Sequence, residues 1–266
     1  MSNEDINKAN VTRFLMDYSL CENDWHTIFA PKPEIMFGLP TDLQHTDNTE
    51  LKQVMQQTIM LQNGMVASQM AKSGVRGNMN YGVSLTDLRK IADSVGINHT
   101  LARDLCQLKI REAKILASMI FDIEKMDNGD LQLVADSITN IDLAENFARN
   151  PIGKIDNIGF IEQLANGTVW QAVTSIHAIG WASIRKEKFA SAYEKWFLDN
   201  VADIAGRHIN ETRQPILTTL DSIAHSSEEK RKSVEQMAEK FKTSASEFEH
   251  SIGDQYFWLY TDNYSK

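Results

Sequence analysis

Cysteine is scarce in this 266-residue chain, with only Cys21 and Cys106 present. Two thiols without metal or redox spacing exclude a disulfide framework and a zinc ribbon alike. No apolar run approaches the ~20 residues that a membrane-crossing helix needs. The opening MSNEDINKAN is too polar for a secretory signal. The sequence therefore reads as a soluble cytoplasmic protein with reduced thiols and no membrane partner. Basic residues are in deficit, with 27 Lys and Arg against 36 Asp and Glu and a formal net charge of −9. That balance argues against a general nucleic-acid binder but leaves room for a local basic groove. The seven histidines show no His-x-x-x-His or His/Cys pairing, so no metal site is expected. His177, between Ile176 and Ile179, reads as a core residue. There is no Gly-x-Ser-x-Gly elbow and no phosphate-cradling glycine loop, so no cofactor is expected.

Strand patterning is also missing, since no segment alternates with period two between hairpin turns. Helical periodicity is present instead. The expected helices cover about 4–18, 48–73, 84–95, 98–108, 110–126, 129–139, 141–149, 157–166, 168–184, 187–205, 209–226 and 228–251. Three of the five prolines, Pro31, Pro33 and Pro40, fall between Cys21 and Asp47 and forbid a continuous helix there. Residues 1–47 thus read as an N-terminal helix with a proline-containing extension, and 48–266 as one helical-repeat domain. Two-helix units recur every ~35 to 45 residues, the signature of a HEAT-like or ARM-type α-α superhelix with an extended concave surface.

The most patterned stretch is Asn80 to Met119. Val83, Leu85, Leu88, Ile91 and Val95 recur at helical spacing, as do Ile110, Ala113, Leu116, Ala117 and Ile120. Ser84 with Asp87 three positions on forms a box-like helix start. From Lys72 to Lys114 there are eight basic and four acidic residues, a local +4, so the remainder sums to −13. Arg89, Lys109, Arg111 and Lys114 are the candidate contacts to a polyanion.

Met65-Val-Ala-Ser-Gln-Met70, Tyr81-Gly-Val83, Leu88-Arg89 and the Arg111-Glu112 helix start occur at spacing that resembles the DNA alkylation repair family. These are the AlkD-type glycosylases built from HEAT-like repeats. The resemblance runs from about residue 50 to 226 and implies an all-α superhelix, double-stranded DNA as partner and release of a cationic alkylated purine. In that family a cleft carboxylate stabilises developing sugar charge, tryptophans contact the lesion and an arginine holds the backbone. The family's Trp-Asp-x-x-Asp falls on Ile141-Asp142-Leu143-Ala144-Glu145, so the carboxylates are Asp142 and Glu145 and one aromatic wall is gone. Its Trp-x-x-Arg falls on Trp170-Gln171-Ala172-Val173, which keeps Trp170 and loses the arginine. The last cleft tryptophan falls near Thr218. A shifted register would instead use Ala178-Ile179-Gly180-Trp181, with Arg185 following.

The expectation is a divergent DNA-repair-type protein that binds DNA, or a protein partner, on the concave surface with catalysis weak or lost. One alternative is an active alkylpurine glycosylase using Glu145. Another is a non-catalytic protein-interaction scaffold. Glu228-Glu229-Lys230-Arg231-Lys232 reads as a solvated helix start, and the aromatic cluster Tyr256 to Tyr260 as a segment docking back onto the helices.

Overall fold

A computed structural model of the chain describes residues 46–76 and 78–260, together with Pro40 and Leu43. Among them the regular elements are thirteen α-helices and two 3-10 turns. The strand-like pairing among them is an isolated parallel bridge between Met79 and Ile110. The all-α expectation is borne out. The helix expected over 4–18 and most of the Cys21–Asp47 stretch lie outside the described residues. None of the described helices is long and apolar enough to cross a membrane.

The chain divides into two compact units, one of residues 1–74 and 80–91, the other of 75–79 and 92–266. The first holds α1 (Thr49–Met60), α2 (Gly64–Lys72) and the start of α3 (Leu85–Val95). Helix α1 buries Leu51, Val54, Met55 and Ile59, one face at helical spacing. The single helix expected over 48–73 is in fact two. Asn63 leaves the helical region, and its side chain accepts from the Val66 N–H at 3.2 Å. A capping amide competes with helix continuation at such a position. The Ser84 start forms as the spacing predicts. Its hydroxyl accepts from the Asp87 N–H at 3.1 Å and donates to the Asp87 carboxylate at 2.7 Å.

The second unit comprises α4 (His99–Gln107), α5 (Arg111–Ile120), α6 (Asn128–Ser137), α7 (Ile141–Arg149), α8 (Ile158–Ala165), α9 (Val169–Arg185), α10 (Ala190–Arg207), α11 (Ile209–Ala224), α12 (Glu228–Lys242) and α13 (Glu247–Tyr260). Two expected helices are shorter than their periodicity implies. Helix α5 stops at Ile120, because Phe121 turns extended and the Asp122 side chain caps a 3-10 turn, Ile123–Lys125. The helix expected over 228–251 breaks after Lys242, and Thr243 closes α12. In α13 Tyr256 is fully buried as expected of a docked segment, whereas Trp258 is 77 % exposed.

Helices α5, α7, α9 and α11 lie side by side, each packed on the next, while α4, α8, α10 and α12 pack behind this row. The row is parallel, as three sets of contacts require. Arg111 and Ser118 on α5 meet Asp142 on α7 and Asn150 just beyond it. Arg149, ending α7, lies against Trp181 near the end of α9. The Thr219 hydroxyl donates to the Ile176 carbonyl at 2.9 Å, one turn before Gly180 approaches Thr219 and Ser222. Close approach sets the spacing. A β-carbon on Gly180 would meet the Thr219 hydroxyl at 3.0 Å. One on Gly153, in the 3-10 turn after α7, would lie 2.7 Å from the Ala148 carbonyl and 3.0 Å from the Trp181 β-carbon.

Replacing Gly153 with Ala must therefore push backbone apart rather than bend a side chain. Overpacking of this kind costs about 1–3 kcal/mol. The expected result is a Tm several degrees lower in a thermal melt; an unchanged Tm would show that the turn at Gly153 does not meet Ala148 and Trp181 so closely.

Candidate nucleic-acid interface

With neighbours on both flanks and α8 and α10 behind, α9 has one open side, and that side carries the half-buried residues Trp170, His177, Trp181 and Arg185. Parallel neighbours place Glu145 and Arg149 of α7, and Thr218 of α11, on the same open side. The sequence-predicted positions Asp142, Glu145 and Thr218 come to about the same level along the row. Trp170 sits in the first turn of α9, roughly 16 Å of helix rise before Trp181.

Asp142 is tied down. Its carboxylate accepts from Arg111 Nε at 2.5 Å and from the Asn146 amide at 3.3 Å. Arg111 also donates from Nη1 to Glu112 at 2.9 Å, and its backbone N–H donates to the Met79 carbonyl at 2.8 Å. Arg111 is 2 % exposed and Glu112 is fully buried. The structure thus unites two predicted site residues, Arg111 and Asp142, as an interhelical ion pair that clamps the start of α5 to the start of α7. One turn on, Glu145 opens to solvent. Its carboxyl is nonetheless pushed above the usual carboxylate range, first by desolvation from surrounding protein and then by the charge of Asp142. Val173, where the resemblance implies an arginine, is fully buried. His177 lies in so dry a setting that burial pulls its imidazole down to about 4, which keeps it neutral at neutral pH.

The remaining predicted cations go elsewhere. Arg89 is exposed on α3, in the first unit. Lys109 is exposed just before α5. Lys114 is buried beside Cys106 of α4, and desolvation lowers its ammonium pKa. The Cys106 thiol is itself pushed up to about 12 by burial, so it is inert.

A different basic cluster occupies the open side. The guanidinium carbons of Arg149 and Arg185 lie 4.8 and 5.2 Å from the Trp181 ring centroid. That is cation–π distance. Arg185 also donates to the Arg149 carbonyl and, at 3.4 Å, to the Gly153 carbonyl. Desolvation and the charge of Arg149 hold Arg185 below its usual range, while Glu187 works the other way. Lys154 is lowered in turn by desolvation and by Arg185, again against Glu187. Two guanidiniums thus share one indole, with Lys154 within electrostatic reach of Arg185. Arg185 was visible in the sequence four residues after Trp181. Arg149 was missed, although it follows Glu145 by four and Ile141 by eight, which is one stripe of a helix. Among the described residues no three His, Cys, Asp or Glu side chains are grouped to hold a metal ion.

Neither a protein-family model nor a curated protein matches the sequence. Among solved structures, the chain is similar to one described as belonging to a new family of proteins related to the HEAT-like repeat DNA glycosylases with affinity for branched DNA structures. The two share 18 % identity over 71 % of this chain and 82 % of the other, with a TM-score of 0.62. At that identity the likeness is one of fold, and it bears out the expected HEAT-like helical repeat.

Two outcomes follow from the buried charges. Replacing Arg111 with Met takes the Nη1 donor and its charge away from the buried Glu112 carboxylate, and removing one partner of a buried pair costs about 3–5 kcal/mol. Urea unfolding is expected to show a loss of that order. His177 has a lower pKa folded than unfolded, so its contribution is fully present above the ordinary value of 6.5 and is lost as pH falls towards about 4. That loss amounts to roughly 3 kcal/mol. The H177Q variant is therefore expected to lose less stability than the parent between those pH values in Tm measurements. An identical acid limb would mean that His177 is not desolvated.

Proposed function

We propose that the chain is a DNA-binding helical-repeat protein that grips backbone phosphate with Arg149 and Arg185 beside Trp181, and in which the base-release chemistry of AlkD-type glycosylases is weak or lost. The observation that carries this reading is the pair of guanidiniums on an indole at the open side of the helix row. Guanidinium matches phosphate geometry and stays charged even when partly desolvated. A net charge of −9 confines such binding to a local patch. Trp170 and Lys109 enter this reading as further contacts, and Arg89 as a separate DNA contact belonging to the first unit. Arg111 and Lys114 serve it as buried framework.

Weak or lost catalysis rests on three positions: Ile141 for an aromatic wall, a buried Val173 for the arginine, and Glu145 for the shorter aspartate. A second reading, active glycosylase, draws on Glu145, whose raised pKa and open position on the same face suit a carboxylate near developing positive charge. A misplacement near one bond length can still cost orders of magnitude in rate.

The test is fluorescence anisotropy of the full chain with a labelled duplex and a labelled four-way junction between 50 and 200 mM salt, roughly the range over which phosphate-driven binding collapses. The fold neighbour's described affinity for branched DNA makes the junction the informative probe. Binding is expected to weaken steeply with salt, and R149A/R185A is expected to lower the log–log slope by about 2. No binding at low salt would overturn the proposal. In parallel, methylated DNA is expected to release no base above background. Release that disappears in E145Q would establish the second reading instead.

A further inference from the structure

The turn that leaves α9 carries a lysine where a glycine is favoured. Lys186 has φ 56° and ψ 42°, and it is the non-glycine residue with positive φ among those described. Its N–H donates to the Ser183 carbonyl, and the Glu187 N–H donates to the Ala182 carbonyl, both at 3.0 Å. This doubly bonded helix end is the motif whose left-handed position glycine fills most readily, because a β-carbon there crowds the following carbonyl. Lys186 is exposed, and what it brings to this position that glycine would not is a charge. It directly follows Arg185, which faces Lys154 and the Trp181 indole, and the stretch Arg185-Lys186-Glu187-Lys188 nets +2. Glu187 is the carboxylate influencing Lys154 and Arg185 from this turn.

We infer that Lys186 is a phosphate contact, and that Lys154, Arg185 and Lys186 form a basic strip carrying the DNA backbone from Trp181 around the end of α9. The inference rests on the DNA-binding reading and adds to it a contact outside the open face. Lys186 is exposed at the residue that follows Arg185, within reach of a strand leaving the Trp181 cluster. Backbone strain at this turn is tolerated in return for a charge that glycine cannot supply.

The experiment compares parent, K186G and K186R in anisotropy titrations with the labelled four-way junction, with a Tm measured for each. One phosphate contact is worth about eightfold in affinity at 0.1 M salt and about 0.9 in salt slope. The K186G variant is expected to lose about that much in both, while its Tm stays level or rises by about 1–3 °C as strain is relieved. The K186R variant is expected to bind like the parent. K186G binding with parental affinity and slope would overturn the inference while leaving the DNA-binding reading intact. A parent chain that does not bind at low salt would overturn both.

Discussion

At Gly153 and Gly180 a β-carbon would stand about 3.0 Å from the facing side chain across the flanks of α9, and the open side of the helix row takes its form from that approach. Gly180 brings the helix against Thr219 and Ser222 of α11, and the Thr219 hydroxyl donates back to α9 at Ile176. Gly153 brings the turn after α7 against the Trp181 stem and the Ala148 carbonyl. With both flanks so close, side chains on α9 that are not small are driven to the open side or into the layer behind. Ala172, Ser175, Ala178, Ala182 and Ser183 are all buried. Trp181 has no flank that could hold an indole, so it stands at the surface. There it meets guanidiniums from α7 and from its own last turn.

Arginine does opposite work at the two ends of α7. Arg111 is buried between two carboxylates, where its charge is spent on holding α5 to α7. Such a pair contributes geometry more than net stability, since desolvation offsets most of the attraction. Arg149 and Arg185 keep their charge at the surface and share an aromatic face. Sequence spacing cannot separate these cases, because both kinds of arginine sit on amphipathic helices beside acidic residues.

The fold was largely legible, and the site only in part. Apolar residues at i, i+3 and i+4 announced the helices, and short loops announced their packing. What periodicity could not show was where Asn63, Asp122 and Thr243 would end a helix, since capping competes locally with continuation. At the site, Asp142, Glu145 and Trp170 lie on α7 and α9 of the row, and their part in binding DNA is a proposal. Arg111 and Lys114 were read as phosphate contacts because charge is visible in sequence and burial is not. Charge bias over 72–114 pointed at the segment, whereas the cations that face outwards around Trp181 lie later, each isolated in sequence and joined only by the parallel packing of α7 and α9.

Parallel helices also add their backbone dipoles, and the row gathers four N-termini at one edge and four C-termini at the other. Partial positive charge accumulates at the first edge and partial negative charge at the second. The acids Glu112 and Asp142 sit in the first turns of α5 and α7, while Arg149 and Arg185 close α7 and α9. Each charge stands at the end where the peptide field favours it. The division of the open side into a carboxylate level and a guanidinium level therefore follows from chain direction. Any phosphate backbone that seats on Arg149 and Arg185 would meet the exposed Glu145 carboxylate if it shifted about one turn along the row, so the order of charges along α7 also fixes where a polyanion must stop.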